Sequence, residues 1–260
     1  MKPRVAFFDF AGCEGCQLAV LNCEEVFLDL LEQVEIVEFR EAMSETAHRI
    51  DIAFIEGSIN REEDAQRLRD IRARSRILVA LGACANMGNV QARANFTAPA
   101  EHFKRIYGSA DRDRVQTDPR FWSLWAHTRV RAVHEIVAVD YRLRGCPMVA
   151  EEFLQLVKAL ISGAQPRQPA NPVCVECRLH EFECAFDRGD TCLGQITWGG
   201  CAAVCIGQGY RCDGCRGLLP QANLAAHRQL LSERGLSDTD IRNRYRLFGS
   251  GEALGEEQRP

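Results

Sequence analysis

The chain alternates short apolar runs with longer amphipathic stretches. Residues 4–10 (RVAFFDF) form an apolar run of strand length, and Gly12 and Gly15 stop it. From Cys16 to about residue 32 the spacing of Leu18, Leu21, Val26, Leu28 and Leu31 predicts a helix with acids on its far side. Strand-length runs recur at 34–39, 51–59, 76–84 and 135–143. A charged helix is expected over 61–75, with acids early and arginines late, matching the helix dipole. Residues 149–163 read as an amphipathic helix ended by Gly163. Strands alternating with helices predict a parallel sheet covered on both faces, an α/β, flavodoxin-like, doubly wound fold.

Two stretches break the pattern. Residues 86–134 are polar and arginine-rich, carry Trp122 and Trp125, and show clear periodicity only near 99–107. A segment of that length is expected to be functional, as a binding loop or interface, or mobile. Residues 164–173 (AQPRQPANPV) hold three prolines and read as an extended linker. Beyond the linker comes a short cysteine-rich stretch. Helices then follow at 219–235 and from a Ser237 cap over 238–248, ahead of a loose tail. The expected division is 1–165 for the sheet domain, 166–218 for a small irregular cysteine module and 219–260 for C-terminal helices and tail.

Composition sharpens this picture at one residue type. The 260 residues include 13 cysteines, eight of them between Cys174 and Cys215. No secretory leader pattern opens the chain, so a reducing, cytoplasmic setting is expected, where clustered thiols bind metal more often than they form disulfides. A net charge of −4 argues against a nucleic-acid partner, and the absence of a long apolar run argues against a membrane span. There is no Walker loop and no G-x-G-x-x-G turn, so a phosphate-cradling nucleotide site is not expected.

Twelve cysteines divide into three sets of four. Cys13, Cys16, Cys84 and Cys146 each follow a predicted strand, so the fold gathers them at one sheet edge. Cys174, Cys177, Cys184 and Cys192 form a second set, and Cys201, Cys205, Cys212 and Cys215 a third. Four thiolates suit an iron–sulfur cluster. Structural zinc is the alternative, with Cys174, Cys177, Cys212 and Cys215 as two Cys-x-x-Cys pairs, although that would strand four other cysteines. Cys23 reads as a buried small hydrophobe. His180 could replace a cysteine in the second set. Glu14 and Glu56 could lie near the first set or be ordinary acids.

These residues resemble a known family. Cys-Glu-Gly-Cys near the start, Gly-Ala-Cys-Ala at 82–85 and Gly-Cys-Pro at 145–147 are similar to the proximal-cluster signature of NiFe-hydrogenase small subunits. The blocks PVCVECRL, CLGQITWGGC and CDGCRG resemble the small (delta) subunit of cytosolic sulfhydrogenases and its F420-non-reducing relatives. The first set alone is shared with the 20 kDa-type subunit of respiratory complex I.

The resemblance implies three four-iron clusters. The first set would hold the proximal cluster, the second the distal and the third the medial. It implies a large subunit bearing the NiFe centre, and iron–sulfur and flavin subunits exchanging electrons with NAD(P). The chain would then be an electron-relay subunit of an oxidoreductase acting on H2, with no complete active site of its own. Feeding a heterodisulfide reductase, a complex-I-like role without catalysis and a zinc-binding role are the other readings. Gln195 and the Trp198-Gly199 pair depart from the family pattern without touching a proposed ligand.

Overall fold

A computed structural model describes residues 2–98, 101, 104–105, 108 and 129–249. The helix expected near 99–107 falls largely outside these residues, as do Trp122, Trp125 and most of the expected tail. Among the described residues no helix is long and apolar enough to cross a membrane.

Five strands form one sheet in the order β2-β1-β3-β4-β5. They are β1 (Arg4–Asp9), β2 (Glu35–Phe39), β3 (Ile50–Glu56), β4 (Ser75–Leu81) and β5 (Tyr141–Leu143). Every neighbouring pair is parallel. The strand order reverses between β1 and β3, so the crevice of this sheet lies beyond their carboxyl ends. Alternate residues of each strand face opposite sides. Phe7, Phe39, Phe54 and Phe153 pack on one side, with the Phe7 and Phe54 rings stacked 4.9 Å apart. Phe8, Ile55, Leu68 and Ile71 pack on the other. Burial on both faces explains the nearly continuous apolar strands.

The expected helix at 16–32 is two helices, α1 (Gly15–Leu21) and α2 (Glu24–Gln33). Asn22 and Cys23 form the joint, where the Cys23 N–H donates to Val20 O in a tight turn. Helix α3 (Glu62–Arg74) carries Glu62, Glu63 and Asp64 in its first turn and Arg72 and Arg74 in its last. Strand β4 ends earlier than expected. Gly82 takes a left-handed φ of 74°, turns the chain into α4 (Gly82–Met87), and lies where any Cβ would collide with the Cys16 sulfur.

The fifth strand is also shorter than the apolar run 135–143. The run opens at the end of a 3-10 turn at Val133–Glu135, in which the Glu135 side chain accepts the Ala132 N–H. Asp140 then sets the start of pairing, because its Oδ2 accepts the Leu78 N–H at 2.8 Å. Ile136, Val137 and Val139 pack on the core without joining the ladder.

Helix α5 (Ala150–Ile161) covers the sheet. Past the linker come α6 (Val173–Leu179), α7 (Val204–Gly207), α8 (Leu224–Glu233) and α9 (Asp238–Tyr245). Helix α9 starts on a Ser237–Asp240 capping box, so the expected Ser237 cap is present. A third core joins Val173, Leu193, Ile196 and Ile206 to Leu231, Ile241 and Tyr245.

Candidate metal centre

The first thiol set gathers where the strand order reverses. Cys13 and Cys16 flank the start of α1, Cys84 sits in the first turn of α4 and Cys146 follows β5. Cys16 and Cys84 are buried, while Cys13 and Cys146 are exposed. The four are near enough to influence one another's charge: Cys16 feels Cys84 and Cys146, and Cys84 feels Cys146 and Cys13. A polar frame holds them. Asn89 Nδ2 donates to the Cys84 sulfur at 3.2 Å and to the Cys146 sulfur at 3.4 Å. Asn86 Nδ2 donates to Gly82 O and Leu143 O, both at 2.8 Å, and so ties the ends of β4 and β5 together.

Glu56 is part of this frame. It ends β3, is 2% exposed, and accepts the Cys16 N–H at 3.0 Å and the Gln17 N–H at 2.9 Å. These are N–H groups of the first turn of α1, left without partners inside the helix, so the carboxylate fixes the turn that carries Cys16. Burial pushes the Glu56 carboxyl up, and the two N–H bonds pull it back. Glu14 takes a left-handed φ of 61° between the two cysteines and is half-buried.

The second set is equally close. Cys174 and Cys177 lie three apart on α6, on one face of the helix. Cys177 feels Cys174, Cys184 and Cys192, and Cys174 feels Cys184 and Cys192. Cys192 accepts N–H groups from Gly194 and Cys212, each at 3.4 Å. His180 is exposed at the end of α6, with its ring stacked on Phe182 at 5.2 Å. His227, 2% exposed, contacts Cys192 O through Nε2 at 2.9 Å and Tyr245 Oη through Nδ1 at 2.7 Å. His227 is absent from the candidates that the sequence offers. Its position at i+3 from Leu224 on an amphipathic helix gives only a core signal.

In the third set, Cys215 feels both Cys201 and Cys205. Cys212 feels Cys215 and also Cys192 of the second set. Ala202 and Ala203 take left-handed φ values of 51° and 50°. Side chains rarely adopt this conformation, and here it bends the chain so that the Ala203 backbone lies near the Cys201 thiol and lowers its pKa. The Glu176 carboxylate accepts the N–H groups of Gly200 and Cys201, anchoring this loop to α6.

The three sets lie in a row. The Cys146 backbone of the first set is close enough to influence the Cys215 thiol of the third. The Cys212 N–H of the third donates to the Cys192 sulfur of the second. The sequential order first, second, third therefore becomes first, third, second in space. Cys23 stays apart: it is half-buried and donates to Ala19 O at 3.4 Å.

Burial dominates the acidity of these thiols. Cys16 and Cys212 are held well above the usual thiol range, and Cys215 is pushed up to about 11. Metal must displace those protons. Backbone groups near the Cys16, Cys192, Cys201, Cys212 and Cys215 thiols pull their acidity back toward the thiolate that metal binding requires, and at Cys192 the Gly194 and Cys212 N–H groups bond the sulfur directly. Among the described residues, no three His, Cys, Asp or Glu side chains converge tightly enough for a single metal ion. In a four-iron cluster each thiolate takes its own iron, so the donors stand further apart. Thiols grouped by four and ringed by N–H donors fit such a cluster.

The family model for NADH ubiquinone oxidoreductase, 20 Kd subunit, matches residues 13–160. The delta subunit of sulfhydrogenase 2 from Pyrococcus furiosus is 35% identical over 247 residues, 94% of this chain and 98% of that one. The chain belongs to this family, in its hydrogenase small-subunit branch. A vhu subunit of the F420-non-reducing hydrogenase of Methanocaldococcus jannaschii is 29% identical, covering 84% of this chain and 82% of that one.

Among solved structures, an NAD+-reducing NiFe hydrogenase in the H2-reduced state aligns with a TM-score of 0.57 and 34% identity. The alignment covers 65% of this chain and 96% of that chain, so the solved chain is the shorter of the two. The actinobacterial-type NiFe hydrogenase of Ralstonia eutropha H16 shares the fold over 98% of this chain and 92% of that chain, with a TM-score of 0.54 and 11% identity. The 20 Kd family match ends at residue 160, before the eight cysteines of the second and third sets.

Proposed function

We propose that this hydrogenase small subunit is a three-cluster electron relay. Cys13, Cys16, Cys84 and Cys146 would hold the proximal 4Fe–4S cluster. Cys201, Cys205, Cys212 and Cys215 would hold the medial one, and Cys174, Cys177, Cys184 and Cys192 the distal one. Bound clusters would supply one-electron redox steps. The protein's own part is to fix the sulfurs, surround them with N–H donors and keep water from the buried ones. Such donors also tune a cluster's potential. The observation carrying the reading is the run of neighbouring thiols, with the Cys146 backbone near Cys215 and the Cys212 N–H bonded to the Cys192 sulfur.

The exposed residues Cys13 and Cys146 leave the first set open to the surface on one side. A large subunit carrying a NiFe site would seat there, so that H2 oxidation or proton reduction occurs on the partner. At the far end, the relay would deliver to iron–sulfur and flavin subunits that exchange electrons with NAD(P). A second reading keeps the relay and changes its acceptor to a heterodisulfide reductase, supported by the likeness to the F420-non-reducing hydrogenase subunit. A complex-I-like role would use only the first set, and a zinc site of Cys174, Cys177, Cys212 and Cys215 would strand Cys184, Cys192, Cys201 and Cys205.

The grouping of the second set is tested by Cys184→Ser. One cluster's EPR signal should change and the other two should persist. If all three signals survive unchanged, Cys184 is not a ligand, and His180, four residues earlier, becomes the residue to replace next.

A further inference from the structure

Directly after α4, Gly88 and Asn89 take left-handed φ values of 80° and 55° in succession. Glycine adopts that conformation freely, and asparagine is one of the few other residues that tolerate it. The turn brings the Asn89 side chain back to the helix that carries Cys84. There it is 4% exposed, with Oδ1 buried and without a hydrogen-bond partner among the described residues. An unpaired buried acceptor destabilises a fold. The sheet gives no reason for the arrangement, since Asn86 is the residue that ties the ends of β4 and β5 together.

The reason lies at the other end of the amide. One NH2 group donates to the Cys84 sulfur at 3.2 Å and to the Cys146 sulfur at 3.4 Å. Those sulfurs come from separate elements, one in α4 and one after β5. Gln91 is the nearest competitor, but its Nε2 is 3.8 Å from the Cys84 sulfur and donates to Ala11 O at 3.2 Å. An amide oxygen turned towards the two sulfurs would repel them as thiolates, so the NH2 end faces them.

Reduction adds an electron to a cluster and raises the negative charge on its sulfurs. A more negative acceptor makes a stronger hydrogen bond, so donors favour the reduced state. We infer that Asn89 is a positioning residue whose amide bridges the Cys84 and Cys146 sulfurs and raises the reduction potential of the cluster they hold, easing its reduction by electrons from H2. The inference rests on the assignment of the first thiol set to a cluster.

The test is an EPR-monitored redox titration of the complex purified without oxygen. Asn89→Leu keeps the volume, excludes water and removes both donors. Asn89→Gly removes them without straining the left-handed backbone. In both, the equilibrium constant for reducing the proximal cluster should fall about tenfold, a potential lower by about 59 mV for one electron. Iron content and the other two potentials should stay as they are. Gln91→Leu should lower the proximal potential less. An unchanged proximal potential in both Asn89 variants overturns the inference, as does a larger shift in Gln91→Leu. A missing proximal signal in the unmodified complex overturns the cluster assignment itself. If neither Asn89 variant assembles the cluster, the unmodified complex decides. With asparagine labelled by 15N in its side-chain amide, electron spin-echo modulation of the reduced proximal cluster should show a coupled 15N nucleus, and its absence overturns the bridge.

Discussion

In a Cys215→Ser variant, iron falls from about twelve to about eight per chain, and electrons no longer pass from one end of the relay to the other. The expectation rests on where Cys215 sits. Its thiol is influenced by Cys201, Cys205 and the Cys146 backbone, so on the proposed grouping it belongs to the middle set and lies beside the first. A serine hydroxyl is a poor replacement for a thiolate on iron. In the assembled complex, H2-dependent reduction of a terminal acceptor should fall to background. The proximal and distal signals should persist, because their eight ligands are untouched. Cys23→Ser is the matched control. That thiol only donates to Ala19 O, which a hydroxyl also does, and both iron content and electron delivery should be unchanged.

Arg216→Leu should destabilise the chain by about 3–5 kcal/mol, the usual cost of leaving one member of a buried ion pair without its partner. The Arg216 side chain is 3% exposed and bonds Glu152 of α5 at 2.8 Å, so solvent screening does little to soften the loss. Its other two bonds, to Gly199 O at 2.7 Å and Arg144 O at 2.8 Å, join the cysteine-rich loops to the sheet domain. Urea unfolding of the full chain measures the cost. The double variant Arg216→Leu/Glu152→Leu should lose less than Arg216→Leu alone, because no charge is then stranded. Equal losses would mean that the carbonyl bonds dominate.

The sequence conveys the sheet well because its strands are buried on both faces. Runs such as RVAFFDF and RILVALGAC carry that burial directly in their composition. Element ends are less legible, since they depend on single side chains acting across the fold. Asp140 delays β5 by bonding the Leu78 N–H, 62 residues away in sequence. Gly82 ends β4 where Cys16 needs room, and neither residue advertises its partner.

The same division holds for the site. Cysteine spacing groups the thiols into three fours; most of the charge coupling runs within a group, while Cys212 is also coupled to Cys192 of the second. The frame around them is only partly visible in the sequence. Glu56 is a candidate there because it ends a strand. Asn89, Arg216 and His227 carry no local signal, since their roles arise from contacts with Cys84 and Cys146, with Glu152, and with Cys192 O.

Metal and sulfide content tests the central claim most directly. The chain, purified without oxygen, is assayed for iron, acid-labile sulfide and zinc. Three four-iron clusters predict about twelve iron and about twelve sulfide per chain, with zinc near zero. A colourless chain holding one or two zinc ions and no labile sulfide would contradict the relay, whatever the arrangement of its thiols.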